Sequence, residues 1–125
     1  MPTQLDICNL ALLKLGEKPL ASMDENSAGG TLARTLFASA SRSLLDSYRW
    51  NFAKDAEPPV ENWPEYFAGA LSLKLAAELC MPLCDNPSLM RAVQELARDE
   101  LKNAKLTDMR DSAPLEGFSL IDQRF

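Results

Sequence analysis

One stretch, Pro64 to Met81, constrains this 125-residue chain more than any other, because it is apolar almost all the way round a helix. Phe67, Leu71, Leu75 and Leu79 follow one another at four-residue spacing, and Leu73, Ala76, Ala77 and Cys80 widen that stripe. Only Lys74 and Glu78, an i,i+4 pair, mark a face suited to water. A helix with so little polar surface has to be surrounded, so it belongs at the centre of a bundle. No run of residues alternates at period two, and no sheet is required.

The rest of the chain supplies helices to surround it. The first runs from about Pro2 to Leu15, with Thr3 as N-cap, Asp6 three residues on, and Leu5, Cys8, Leu12 and Leu15 on one stripe; Gly16 stops it. Residues 17–26, with Pro19 and the polar run that begins at Ser22, read as a loop. The second helix reaches about Tyr48, with Leu32, Leu36, Ala40, Leu44 and Tyr48 in line, and Gly29-Gly30 leaves its start open. Tyr48-Arg49-Trp50-Asn51-Phe52 closes it, and residues 54–64, with Pro58, Pro59 and Pro64, form the only long connection, which divides the chain into two helical hairpins. Pro82 and Pro87 bracket a tight turn. The fourth helix takes Asn86 as cap and Pro87 as first residue and ends near Lys105 or Thr107. Leu89, Val93, Leu96, Ala97, Leu101 and Ala104 form its inner face, and Arg91, Glu95, Arg98, Asp99 and Lys102 an outer face of mixed sign. The reading is an all-α four-helix bundle over residues 1–107 with an extended C-terminal tail over 108–125.

Composition removes several classes of function. A net charge of −5 and a pI near 4.7, with no segment forming a basic patch, oppose a protein whose main work is gripping nucleic acid. The chain has no histidine, the commonest general base and metal ligand. Cys80 and Cys84 have only Cys8 to join them, too few ligands for a zinc site, and all three cysteines read as small core hydrophobes in a reducing compartment. Gly29-Gly30 lacks the remainder of a phosphate loop, and Ser39, Ser41 and Ser43 lack both an elbow motif and a base. The carboxylates of Asp24, Glu25, Asp55 and Glu57 fall in polar loops where nothing is expected to shift their pKa values. Tyr48, Trp50, Phe52 and Trp63 have only Arg49 and Lys54 beside them, which favours packing within the bundle over stacking on single-stranded nucleic acid. The N-terminus shows no signal peptide and no apolar run approaches a bilayer span, so a soluble protein made in the cytoplasm is expected, with no catalytic residue, cofactor or metal and no membrane partner.

The order of segments carries a family resemblance. Ile7-Cys8-Asn9-Leu10-Ala11-Leu12-x-x-Leu15-Gly16-Glu17 comes first, with Ser22 shortly after. A long helix then closes on Leu44-Leu45 and Tyr48-x-Trp50-Asn51-Phe52-Ala53. Ala70-Leu71 and Leu75-Ala76 precede Pro82-Leu83, and a last helix ends Leu101-x-x-Ala104-Lys105 with Asp108 and Arg110. Over about residues 5–111 this resembles the phage head-to-tail adaptors, the family of tail tubular protein A and of the packaged-DNA stabilisation protein of short-tailed phages. Gly29-Gly30 departs from the helix-favouring residues expected there.

The resemblance implies a virion structural protein at the head-tail joint. Its subunits would form a homo-oligomeric ring of about twelve copies beneath the portal protein, closed by a heterologous interface. Below, the ring would present a platform to the next tail protein, a nozzle or stopper, and packaged DNA would pass through or be retained above the channel without being read. The tail has an expected role of its own. Leu115, Phe118, Leu120, Ile121 and Phe125 follow Pro114 with no period that would bury them together, so they are candidate portal-binding residues, with Arg110 and Arg124 as partners for acidic groups. The competing reading is a small helical DNA-binding or DNA-packaging regulatory protein, which needs a basic reading face that no helix shows in sequence.

Overall fold

The computed structural model describes residues 3–54 and 56–112. Four α-helices pack together, α1 (Gln4–Lys14), α2 (Ala28–Asp46), α3 (Glu65–Leu83) and α4 (Pro87–Ser112), and there is no strand among the described residues. Two 3-10 turns, Asn51–Ala53 and Val60–Asn62, lie in the long connection between α2 and α3.

The apolar helix is central, as its composition requires. Phe67, Leu71, Leu75, Ala76, Leu79 and Cys80 of α3 have no exposed surface, and each of the other helices packs on it, α4 most extensively. This differs from two hairpins in series: α1 and α2 each lie against α3 and meet one another little. The reason is physical, since α3 offers apolar surface in every direction and is the better partner for both. By length and mean hydropathy α3 would suffice to cross a membrane, contrary to the expectation that no stretch approaches such a span. More than half of it is nevertheless buried inside the bundle (56%).

Local sequence sets the helix ends. Thr3 Oγ1 accepts from Asp6 N–H (3.1 Å) while the Asp6 carboxylate accepts from Thr3 N–H (3.2 Å), a reciprocal cap. Gly16 at φ 76° ends α1, with Glu17 N–H reaching Leu12 C=O and Gly16 N–H reaching Leu13 C=O. This is the glycine-terminated pattern that satisfies the last carbonyls of a helix. Ser27 caps α2 through Gly30 N–H (3.1 Å), which fixes the start left open by the glycine pair. A Cβ on Gly30 would lie 2.5 Å from Glu25 C=O, so only glycine lets the loop pass this close. Asn86 Oδ1 accepts from Ser88 and Leu89 N–H at the start of α4.

Several expectations need correction. The buried stripe of α2 is Ala33, Phe37, Ala40 and Leu44, with Leu32 and Leu36 only partly covered, because this register brings Phe37 against the Trp63 ring (centroids 6.3 Å apart). Pro82 lies inside α3, in its last turn, where it forfeits one hydrogen bond without breaking the helix. Leu96 is 53% exposed and faces outward. Most consequentially, α4 continues through Ser112. The inner spacing of Val93, Ala97, Leu101 and Ala104 runs on to Asp108, which is fully buried, so the bundle does not stop at residue 107.

Candidate functional site

Where the chain leaves α2 it meets the end of α4. Trp50 is 2% exposed and its indole N–H donates to Leu44 C=O (2.9 Å), tying the exit to the last turn of α2. Tyr48, Phe52, Tyr66 and Phe67 surround it with ring centroids 4.9–6.4 Å away. Trp63 completes the group against Phe67, and its indole donates to Pro58 C=O (3.0 Å). The rings close the bundle, with Trp50 and Trp63 buried and Tyr48 and Phe52 partly so, leaving no open row for bases to stack on.

The buried Asp108 carboxylate binds this exit to the last turns of α4. One oxygen accepts from Asn51 N–H (2.8 Å) and the other from the Tyr66 hydroxyl (2.6 Å), while Asn51 Nδ2 donates to Asp108 C=O (3.3 Å). A carboxylate removed from water persists only where donors converge on it, and here they come from α3 and from the 3-10 turn after α2. The sequence reading missed this node, treating Asp108 as the first tail residue. Its signal was the four-residue step from Ala104, which keeps the inner register with a charged side chain in an apolar series.

A second anchor lies at the other end of the resemblance. Asn9 Oδ1 accepts from Leu20 N–H (2.7 Å) and Asn9 Nδ2 donates to Leu20 C=O (3.2 Å), so α1 holds the following loop as a strand neighbour would. Arg34 of α2 donates to Met23 and Glu25 C=O (2.6 and 3.0 Å). The Glu25 carboxylate accepts from Ala21 N–H (2.8 Å) and from the Ser27 hydroxyl (2.9 Å), and these bonds hold its pKa below the ordinary value. This corrects the expectation that nothing would shift the loop carboxylates.

Of the candidate portal-binding residues, only Arg110 lies among the described ones; it is exposed in the last turns of α4. Leu115, Phe118, Leu120, Ile121, Arg124 and Phe125 fall outside the described residues. Cys8 and Cys80 are buried, and Cys84 is partly exposed, with Sγ 3.8 Å from both Leu15 C=O and a Glu17 carboxylate oxygen. Burial pushes the Cys8 thiol up to about 11, and burial, then the neighbouring Cys80 and Glu17, raises Cys84. Such thiols stay protonated at neutral pH and are poor nucleophiles. No group of three metal-ligating side chains occurs among the described residues.

Two open grooves flank α3. Between α1 and α3 an open groove of about 660 Å³ is lined by Asp6, Asn9, Leu10, Leu13, Glu65 and the small residues Ala68 and Gly69. On the other flank a groove between α2, α3 and α4 is lined by Lys74 with its ion-pair partner Glu78 and by Arg98, and Lys105 lies over the Tyr48 ring, 5.1 Å from its centroid. No protein-family model matches this chain, and no curated protein shows significant similarity to it.

Proposed function

We propose that this chain is a phage head-to-tail adaptor, a virion structural protein that forms a ring under the portal, connects capsid to tail and helps to retain packaged DNA. The observation that carries the reading is the ordered set of segments from Ile7 to Arg110. The structure supports it by giving the most distinctive segments a common purpose. The Trp50-Asn51-Phe52-Ala53 exit and the late Asp108 meet in one buried node, and Asn9 of the first segment clamps the loop that follows it. A small domain whose terminal helix and long connection are locked together suits a static joint, since its segments are tied at both ends and no concave, polar reaction site is needed.

On this reading the chain meets the portal through its C-terminal segment, with Arg110, Leu115, Phe118, Leu120, Ile121, Arg124 and Phe125 at the contact, and a nozzle or stopper protein below. It acts on no substrate and needs no cofactor. The test is co-sedimentation of the purified chain with assembled portal, beside a titration with double-stranded DNA at low and moderate salt. Capture by portal with only weak, non-specific DNA binding agrees with the proposal. Tight, steeply salt-dependent DNA binding without portal capture would instead identify a DNA-binding protein.

A further inference from the structure

We infer that the groove between α1 and α3 receives the basic flank of α4 from a second copy of this chain, in a head-to-tail contact. The inference deepens the adaptor reading and rests on it only for closure of the contact into a ring.

The groove combines exposed apolar surface with negative charge. Leu10 is 45% and Leu13 58% exposed, an i,i+3 pair standing at its edge, and the floor of Ala68 and Gly69 permits close approach of a helix. Asp6 and Glu65 line it, and Glu100 joins them, since its carboxylate lies 3.3 Å from where a Cβ on Gly69 would be. Among the described residues no lysine or arginine lines this groove.

The far side of α4 is its complement. Arg91, Arg98, Lys102 and Lys105 recur at i, i+7, i+11 and i+14 and share one flank, and all but the partly covered Lys105 are exposed. None of the four forms an ion pair with a described residue. Leu106, 53% exposed, stands at the edge of this flank, beside the exposed acids Glu95 and Asp99. Helix geometry therefore sorts the charges of α4, with the bases toward α2, Glu95 and Asp99 outward, and Glu100 toward the groove beside α1. Because donor and acceptor faces are different surfaces of one molecule, the contact is heterologous and propagates until a rotation closes it. Opposite charge gives such a contact register and salt dependence, and the leucines give it area removed from water.

Complementary charge reversal tests this on the full chain without portal, so that the result is independent of portal capture. Sedimentation is followed over a wide concentration range for wild type, for Glu65→Lys with Glu100→Lys, and for Arg98→Glu with Lys102→Glu, with circular dichroism confirming helix in each. Wild type should associate, more strongly at low salt, and each variant alone should associate at least about tenfold more weakly. An equimolar mixture of the two variants should recover association, because each reversed face then meets its complement in the other. A wild type that stays monomeric throughout, or a mixture no better than its components, overturns the inference. So does an Arg98→Glu, Lys102→Glu variant that loses DNA binding while self-association is unchanged, which would assign the flank to nucleic acid.

Discussion

Asp108 ties the last turns of α4 to the exit from α2 and to the start of α3. Asp108→Ala withdraws the acceptor from Asn51 N–H and the Tyr66 hydroxyl, and should cost roughly 1–3 kcal/mol for each donor left without one. Chemical denaturation measures the loss, and wild-type stability in the variant would show that the node contributes nothing. Glu25 makes a prediction in pH. Its folded pKa is depressed by Ala21 N–H and the Ser27 hydroxyl, so its contribution is present above the ordinary carboxylate pKa and disappears as pH falls through the lowered folded value. Acid unfolding of Glu25→Gln should therefore lack this component, while unfolding at neutral pH reveals its full loss. Cys8 has the opposite sign: with its thiol raised to about 11, the fold favours the neutral form, an advantage complete below the unfolded thiol pKa and lost as pH rises through the folded value. Thiol reagents at neutral pH should label the partly exposed Cys84 first and reach Cys8 and Cys80 only on unfolding; equal rates at all three would contradict their burial. At this scale the caps at Thr3 and Asn86 were legible, since their partners lie within three residues. The Asp108 node was not, because its partners lie far upstream and only the fold brings them near.

The helices themselves were legible wherever one face or all faces were apolar. α3 was placed at the centre by its apolarity on nearly every side, the line of Phe67, Leu71, Leu75 and Leu79 widened by Leu73, Ala76, Ala77 and Cys80, and Leu75→Ala, at a fully buried site, should cost about 2–5 kcal/mol in chemical denaturation. Near-wild-type stability would mean that Leu75 does not fill the core. Ends and rotations were harder. Leucine spacing drew the inner face of α2 through Leu32 and Leu36, whereas the packing of one phenylalanine against Trp63 turned the helix toward Phe37. Pro82 and Asp108 each looked like a terminus, the first for lacking a donor and the second because the apolar period fails from there in sequence. Both are tolerated, the first in a last turn and the second by hydrogen bonds from neighbouring elements.

At the scale of the whole molecule, an acidic chain presents one basic flank and one acidic groove, a polarity invisible in net charge and appearing only when α4 is wound and set beside α2. On the proposed adaptor reading the C-terminal segment contacts the portal, so deletion of residues 113–125 should leave a folded helical protein, by circular dichroism, that no longer sediments with portal. Unfolding of the truncated chain, or undiminished capture, would contradict that assignment. Assembly into a ring on the portal is the claim on which the account turns, and electron microscopy of the full chain mixed with assembled portal tests it most directly. The account predicts added density below the portal with closed rings of matching symmetry; portal particles unchanged at saturating concentrations of the chain would contradict it.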